Sequence, residues 1–245
     1  SDGFVPTAAG EEAVAVAAEL EERVTGLERR IVGRDVGPTG VVRVTTVTEM
    51  MYGLLPPIVA RLARRHPGIR LEIQTDSGQA NLSRRDADIA IRFTRSPPEQ
   101  LVGRKLAVAC SAIYATRELM ASNPVFEDLA SAPWVGFDDT LAHLGSARWL
   151  REMLGDRQPV VSCNTMTGIA RLVEAGLGLG ILPCMVGERL EGLVRVRPPD
   201  PDWSAEVWLL THPDVRDVAR VRAVMDHFGE ELVKLRPLFG GEARA

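Results

Sequence analysis

We predict an α/β fold with a mainly parallel sheet, and three features of the 245-residue sequence predict it. Short apolar runs, which are typical of buried strands, alternate with segments whose apolar residues recur three and four positions apart, as on one face of a helix. Strand–helix–strand units of this length join parallel strands. The last segment, 218–235, has helical spacing and is expected to pack on the sheet.

The individual elements follow from the same two patterns. We predict strands at 41–47, 69–75, 87–93, 134–137, 160–164 and 205–211, with further strands from 101–116. We predict helices at 49–68, 146–154 and 167–175, with a short helical turn at 81–85. In the first of these helices, Pro56 and Pro57 indicate a kink or a late start.

The segment EAGLGLGILPC, residues 174–184, carries three glycines between a predicted helix and a predicted strand. A dinucleotide-binding loop needs the opposite order, in which a strand leads through the glycines into a helix whose N-terminus faces the phosphates. We therefore interpret Gly176 as a helix C-cap. Gly178 and Gly180 are expected to let the strand pass close to neighbouring backbone.

A long helix is predicted at 8–33, before the first strand. Its apolar residues alternate four and three positions apart, as in a coiled coil. The stripe that we expect to mediate dimerisation comprises Ala17, Leu20, Val24, Leu27 and Ile31. A helix with one apolar stripe needs a partner, and the pattern leaves two open: a second copy of the chain, or the helix's own domain.

The composition is that of an ordinary globular protein, with 45% hydrophobic and 25% charged residues. The net charge of -4 indicates that this segment does not bind DNA by itself, because compact DNA-binding domains are usually basic. No apolar run is long enough to span a membrane. Cys110, Cys163 and Cys184 form no CxxC pair and lie in or beside apolar segments, so we interpret them as buried structural thiols.

The sequence shows no catalytic constellation. Its four histidines have no metal-binding spacing, and Ser162 lacks the GxSxG setting of a hydrolase nucleophile. A Cys163 nucleophile with His143 as its base is the catalytic alternative, but nothing nearby in the sequence activates that thiol. We therefore predict that the protein is not an enzyme and uses neither a metal nor a cofactor.

Polar residues collect where four of the predicted strands end, and this pattern favours a binding protein. The clusters are Thr45, Thr46 and Thr48; Arg92 and Thr94; the GFDDT segment at 136–140; and Asn164 and Thr165. Ligands of open α/β sheets bind outside the carboxyl ends of strands, where helix N-termini add free N–H donors. The alternative is that each threonine or asparagine only caps a helix.

Five segments, in order, resemble one known family. They are GFVPTAAGEEAVAVAAELEE, the segment from GVVRVTTVTEMMYG to HPGIRLEI, RRDADIAIRF, LVGRKLAVACSAIYATREL and LVEAGLGLGILP. The segment from GVVRVTTVTEMMYG to HPGIRLEI matches a strand, a helix and a second strand of that family. Together they resemble the C-terminal part of a LysR-type transcriptional regulator over nearly the whole chain. This resemblance places the three glycines in an effector-binding scaffold.

The resemblance implies two Rossmann-like α/β subdomains of the type 2 periplasmic-binding-protein architecture, with an effector in the cleft between them. It implies a linker and dimerisation helix at 1–37, subdomain I at 38–108 with 206–245, and subdomain II at 109–205. A winged helix-turn-helix that binds promoter DNA would precede residue 1. The implied partners are a small-molecule effector and a second copy of the chain, in a homodimer or homotetramer, and the implied location is cytoplasmic.

The resemblance also implies which residues contact the effector. They are Thr46, Thr48, Glu49, Phe93, Thr94, Phe137, Asn164 and Thr165. Glu49 stands where the family commonly has a neutral polar residue, so a small inorganic anion fits poorly. Met50, Met51 and Tyr52 are expected to make the site bulkier and more apolar, which favours a cationic or aromatic effector. A periplasmic solute-binding protein and an enzyme of related fold are the alternative classes.

Overall fold

The computed structural model describes Thr7, residues 16–17 and the ranges 38–75, 87–122 and 129–242. Its strands are β1 (Gly40–Thr46), β2 (Ile69–Thr75), β3 (Ile89–Phe93), β4 (Val102–Thr116), β5 (Val135–Phe137), β6 (Val161–Cys163), β7 (Gly180–Pro183), β8 (Leu193–Arg195) and β9 (Asp200–Thr211). Its α-helices are α1 (Thr48–Met51), α2 (Leu55–Arg65), α3 (Arg117–Ser122), α4 (Gly145–Leu154), α5 (Met166–Glu174), α6 (Cys184–Gly187), α7 (Ala219–Val233) and α8 (Arg236–Gly240). Each single strand predicted above is present within a few residues of its predicted bounds.

The predicted helix at 49–68 is two helices. α1 ends at Met51, a turn follows in which Gly53 has a φ of 103°, and α2 begins at Leu55 with prolines in its first turn. The late start that the prolines indicated is therefore correct, because proline lacks the N–H that an interior helical position needs.

The main sheet has the strand order β2-β1-β3-β9-β4-β7, and β8 also pairs with β4. β1 is parallel to β2 and β3, and β5 is parallel to β6 in a separate pair. The expectation of a mainly parallel sheet is correct for these strands only. β4 and β9 are antiparallel to each other and to their other partners. Both are long strands that pass from one half of the molecule to the other.

The region 101–116 was expected to supply several strands, but it forms the single 15-residue strand β4. Its pairing with β9 shifts register at two places, between Lys105 and Ala107 and between Ala109 and Ser111. Such irregularities bend a strand without ending it. Gly103 and Ser111 do not turn the chain, because both are paired with residues of β9.

The first subdomain comprises β1, β2, β3, α1, α2 and α7, and it has one hydrophobic core. α2 and α7 lie side by side, where the buried His227 ring lies 3.0 Å (Nε2) from the carbonyl oxygen of Ile58. Arg61 and Arg65 of α2 form ion pairs with Glu231 and Glu230 of α7. The C-terminal helix thus packs against α2, an element from the first half of the chain.

The second subdomain comprises β5, β6, β7, α4 and α5, and two hydrophobic clusters fill it. Three tryptophans form an edge-to-face series in which Trp149 lies 6.0 Å from Trp134 and 4.9 Å from Trp203, measured between ring centroids. β4 contributes Leu106 to the first core and Ile113 to the second subdomain. The predicted boundaries, 38–108 with 206–245 and 109–205, stay a prediction.

The glycine segment between α5 and β7 has the predicted conformation at two positions. Gly176 follows the C-cap of α5 with a φ of 81°. Gly178 has a φ of 157°, and a Cβ there would lie 2.7 Å from the carbonyl carbon of Pro133 and closer still to its oxygen. Gly180 differs from the prediction, because its close neighbours are the side chains of Val173 and Ile169 in α5, not backbone.

Two predicted features fall mostly outside the described residues. The helical turn at 81–85 lies wholly outside them, as do Leu20, Val24, Leu27 and Ile31 of the dimerisation stripe. Ala17 is described, and it is helical and exposed. The linker helix and its partner therefore stay predictions.

Candidate functional site

Three of the predicted site residues lie at the corner where β1 leads into α1. Thr46 ends β1 and is fully buried, and its hydroxyl is the one buried side-chain N or O atom among the described residues without a hydrogen-bond partner. Thr48 begins α1 and is half-buried. It does not cap the helix, because the cap position is Val47 and has no side-chain hydrogen bond. The capping alternative therefore does not explain Thr48.

A second corner leads from β6 into α5. Thr165 is the N-cap of α5, and its Oγ1 accepts a hydrogen bond from the Gly168 N–H at 3.1 Å. The capping alternative is thus correct for Thr165, whose hydroxyl satisfies one free donor of the helix. Asn164 precedes it and is exposed, and its side chain makes no hydrogen bond among the described residues.

The two corners meet. α1 packs against α5, and the backbone N–H groups of Glu49 itself and of Met166, the first residue of α5, lie near enough to the Glu49 carboxylate to favour its charged form. Burial raises the pKa of Glu49 above its ordinary value, and the two backbone N–H groups only partly offset this effect. The contact joins the first subdomain to the second.

The raised pKa gives a stability prediction for Glu49→Gln. Because folding raises the pKa, the folded protein holds the Glu49 proton more tightly than the unfolded chain, so stability falls as the pH rises from the ordinary value of 4.5 through the folded pKa. Glutamine keeps an oxygen for the Met166 N–H and carries no charge. We expect the variant to match the native protein near pH 4 and to be more stable at pH 7.5.

The measurement is thermal unfolding of both proteins across this pH range. A variant that is less stable than the native chain at pH 7.5, but equally stable near pH 4, would show that the ionised carboxylate stabilises the fold. That result would contradict the direction of the pKa shift.

The remaining predicted site residues have local structural partners. Phe93 packs into the first core, with its ring centroid 6.2 Å from that of Phe239. The Thr94 hydroxyl bonds within its own turn, to the backbone oxygen and N–H of Ser96 at 3.2 and 3.1 Å. Phe137 is half-buried and packs against both clusters of the second subdomain. The predicted contact of these three residues with an effector stays a prediction.

Met50, Met51 and Tyr52 were expected to make the site bulkier and more apolar, but the three side chains do not all line the corner. Met50 is fully buried in the first core, and Met51 packs against that core. Tyr52 is 55% exposed, so it is the one of the three whose ring is largely open to solvent.

Two features of the site could not be read from residue types. The Met166 N–H is a backbone group, and only its place at the start of a helix makes it a free donor. Gly168 has no Cβ, and one there would lie 2.8 Å from Thr165 Oγ1 and closer still to Cys163 Sγ. The NTMTG segment carried a weak signal for this crowding, because a glycine in the first turn of a helix is otherwise unfavourable.

The two subdomains are also tied beside the crossing strands. The Arg95 guanidinium, after β3, donates to backbone oxygens of Pro201, Asp202 and Ser204 at the start of β9, at 3.0–3.3 Å. Lys105 of β4 forms an ion pair with Glu206 of β9. These bonds join β9 to the segment after β3 and to β4.

The described residues give little support for a catalytic or metal-binding site. They contain no group of three or more His, Cys, Asp or Glu side chains placed to hold a metal ion. The two residues of the catalytic alternative each have a local partner. Cys163 Sγ lies 3.8 Å from Thr165 Oγ1, and His143 Nδ1 lies 3.1 Å from the carbonyl oxygen of Thr140. All three cysteines are free thiols, but only Cys184 is buried, so the prediction of three buried thiols is wrong for Cys110 and Cys163.

Comparison with known proteins identifies the family. A family model described as the LysR substrate binding domain matches residues 36–233. The chain belongs to this family. The predicted resemblance to LysR-type regulators and the predicted two-subdomain fold are therefore confirmed, and the solute-binding-protein and enzyme alternatives are not favoured. LysR-type proteins are transcriptional regulators and not a family of enzymes.

Two curated relatives of the LysR-type domain are regulators. The Mau operon transcriptional activator of Paracoccus denitrificans is 26% identical over 194 residues, which cover 78% of this chain and 66% of the relative. The HTH-type transcriptional regulator CrgA of Neisseria meningitidis is 31% identical over 105 residues, which cover 42% of this chain and 35% of the relative. The chain thus spans at most about two thirds of either relative.

Solved structures of LysR-type proteins share the fold. The regulatory domain of CrgA superposes with a TM-score of 0.65 at 25% identity, covering 80% of this chain and all of that domain. The effector domain of AmpR of Pseudomonas aeruginosa superposes with a TM-score of 0.65 at 18% identity, covering 81% and 97%. No helix in the described ranges has both the length and the apolar character to cross a membrane.

Proposed function

We propose that this LysR-type domain senses a small-molecule effector in the cleft between its subdomains and thereby controls DNA binding by a winged helix-turn-helix in the intact protein. The observation that carries the proposal is the meeting of two strand-end corners, one from each subdomain, at Glu49 and Met166. Carboxyl ends of strands and helix N-termini are where open α/β folds bind ligands.

The mechanism follows from the contacts between the corners. Thr48 and Asn164 have side chains without a described hydrogen-bond partner, and they lie on opposite subdomains. A ligand that bonds to both is held best when the subdomains are close, so binding stabilises the closed arrangement. A change in the angle between subdomains passes to the linker helices, and through them to the DNA-binding domains. Such a regulator acts in the cytoplasm of a bacterium.

The proposal predicts the effect of two substitutions on effector affinity. Thr48→Ala and Asn164→Ala each remove one hydrogen bond to the effector, so each is expected to cost on the order of 1 kcal/mol, or about fivefold in affinity. Neither side chain makes a described hydrogen bond within the protein, so the fold should be unchanged. Hits come from a thermal-shift screen of small organic molecules, and their affinities are measured by calorimetry.

A control separates this site from the rest of the surface. His143→Ala changes an exposed polar residue whose ring bonds only within its own turn, and it should leave the affinity unchanged. A hit whose affinity is unaffected by both Thr48→Ala and Asn164→Ala binds elsewhere, and the proposed cleft site would then be wrong.

We also propose that the chain self-associates through the stripe predicted at 17–31. Val24→Asp places a charge in the middle of that stripe and is expected to weaken association about tenfold or more, because a buried unpaired carboxylate is costly. Glu22→Gln, on the opposite side of the predicted helix from the stripe, is the control. Light scattering over a range of concentrations measures the mass. Equal masses for the native chain and Val24→Asp at every concentration would rule out the stripe as the contact.

A further inference from the structure

We infer that the cleft selects an effector with a positively charged group, which binds at the Glu49 carboxylate. This inference rests on the proposed function and adds the chemical class of the effector. It depends on three observations at the contact between α1 and α5: the half-buried position of the Glu49 carboxylate near the Met166 N–H, its lack of a cationic partner, and the surroundings of the first N–H groups of α5.

The Glu49 carboxylate has unused bonding capacity. A carboxylate has about four positions at which it can accept a hydrogen bond. The nearby backbone N–H groups of Glu49 and Met166 can fill at most two of them. The residue is only half-buried, so a small molecule that enters the contact between the subdomains can reach the remaining positions.

No cationic side chain among the described residues pairs with Glu49. Arg189 approaches the same turn, where its guanidinium lies beside Gly53, but it forms no ion pair with the Glu49 carboxylate. The charged form of Glu49 is thus poorly solvated, and burial raises its pKa. An ammonium or amidinium group would supply both the missing charge and the missing donors, and charge-assisted hydrogen bonds of this kind are the strong ones.

The same contact disfavours an anionic effector. The N-terminus of α5 would attract an anion, because its free N–H groups carry partial positive charge. In this chain the Met166 N–H lies near the Glu49 carboxylate and favours its charged form, and the Gly168 N–H donates to Thr165 Oγ1. An anion would have to displace a carboxylate or lie beside it, and like charges at short distance repel.

Thr46 adds a second, uncharged polar group to this corner. Its hydroxyl is fully buried, makes no hydrogen bond to the described residues, and belongs to the residue three positions before Glu49. Buried hydroxyls are rarely without a partner, and one that lacks a protein partner indicates a water or ligand. We therefore expect the cationic group of the effector to place an N–H donor close to the Thr46 hydroxyl.

The test uses three probes that share a phenyl ring and differ in charge: benzylamine as a cation, benzyl alcohol as a neutral molecule and benzoate as an anion. NMR titration of the intact chain at neutral pH follows the Met166 amide for each probe. We expect benzylamine to bind at least about tenfold more tightly than benzyl alcohol, and benzoate to bind most weakly. Glu49→Gln should remove the preference for the amine.

Glu99→Gln is the matched control, because Glu99 is an exposed carboxylate of the first subdomain away from α1. It should keep the preference. The inference is overturned if benzoate binds more tightly than benzylamine, if Glu49→Gln keeps the preference, or if benzylamine up to its solubility does not move the Met166 amide. If benzoate moves amides at both corners, the cleft still binds ligands and only the charge assignment fails.

Discussion

Gly178→Ala is expected to lower the free energy of unfolding by roughly 2–4 kcal/mol. The residue has a φ of 157°, where an L-residue is strained by about 1–3 kcal/mol. A Cβ would also meet the backbone of Pro133, 2.7 Å from its carbonyl carbon, and overpacking typically costs about 1–3 kcal/mol. The obstacle is backbone, which cannot turn aside as a flexible side chain can.

Backbone hydrogen bonds make this approach hard to relax. The Leu179 N–H donates to the Pro133 oxygen at 2.8 Å, and the Val135 N–H donates to the Leu179 oxygen at 2.8 Å. A shift of residue 178 away from Pro133 would stretch both bonds, which join β7 to β5 in the second subdomain. We expect the loss to appear in urea unfolding of the whole chain.

Two other glycines separate the causes. Gly176 has a φ of 81° but open space around a Cβ, so Gly176→Ala should cost only the conformational part, about 1 kcal/mol. Gly192 has open space and no positive φ, so Gly192→Ala should change stability by less than about 0.5 kcal/mol. If all three variants are equally stable, the close approach at Gly178 does not limit the fold.

Phe228→Ala is expected to cost about 3–5 kcal/mol. Phe228 lies in the middle of α7 and has no exposed surface. Removing a fully buried aromatic ring loses its transfer free energy and leaves a cavity. The ring belongs to the core that includes residues of β1 and α2, so the substitution tests whether 206–245 stabilises the unit that begins at residue 38.

The control is Tyr52→Ala, which removes an aromatic ring that is 55% exposed and should cost less than about 0.5 kcal/mol. Urea unfolding followed by circular dichroism gives both values. A loss below 1 kcal/mol for Phe228→Ala would mean that the C-terminal helix is dispensable to the first core. The predicted grouping of 38–108 with 206–245 would then be wrong.

Most elements could be predicted because their sequences repeat with one period. The alternation in IRLEIQT predicts β2, and apolar residues at 169, 172 and 173 predict α5. The length of β4 could not be predicted, because its glycine and serine were compatible with turns, and only pairing with β9 keeps the segment in one strand. Strand direction across β4 and β9 depends on long-range pairing, for which the sequence carries no local pattern.

The site was predictable only in part. Thr48, Glu49 and Asn164 were assigned to strand ends, and the structure brings their two corners into contact. Phe93 was assigned to the same site, but its ring packs on Phe239, a residue 146 positions later that no local pattern connects to it. The Met166 N–H could not be identified at all, because every residue except proline has such a donor.

The central claim, that one effector binds to both subdomains at once, is tested most directly by hydrogen–deuterium exchange with a hit from the thermal-shift screen. We predict that saturating the intact chain with the hit slows amide exchange at both corners, residues 46–52 and 163–168, because the ligand holds α1 against α5. Protection confined to one corner, or located away from both, would contradict the claim.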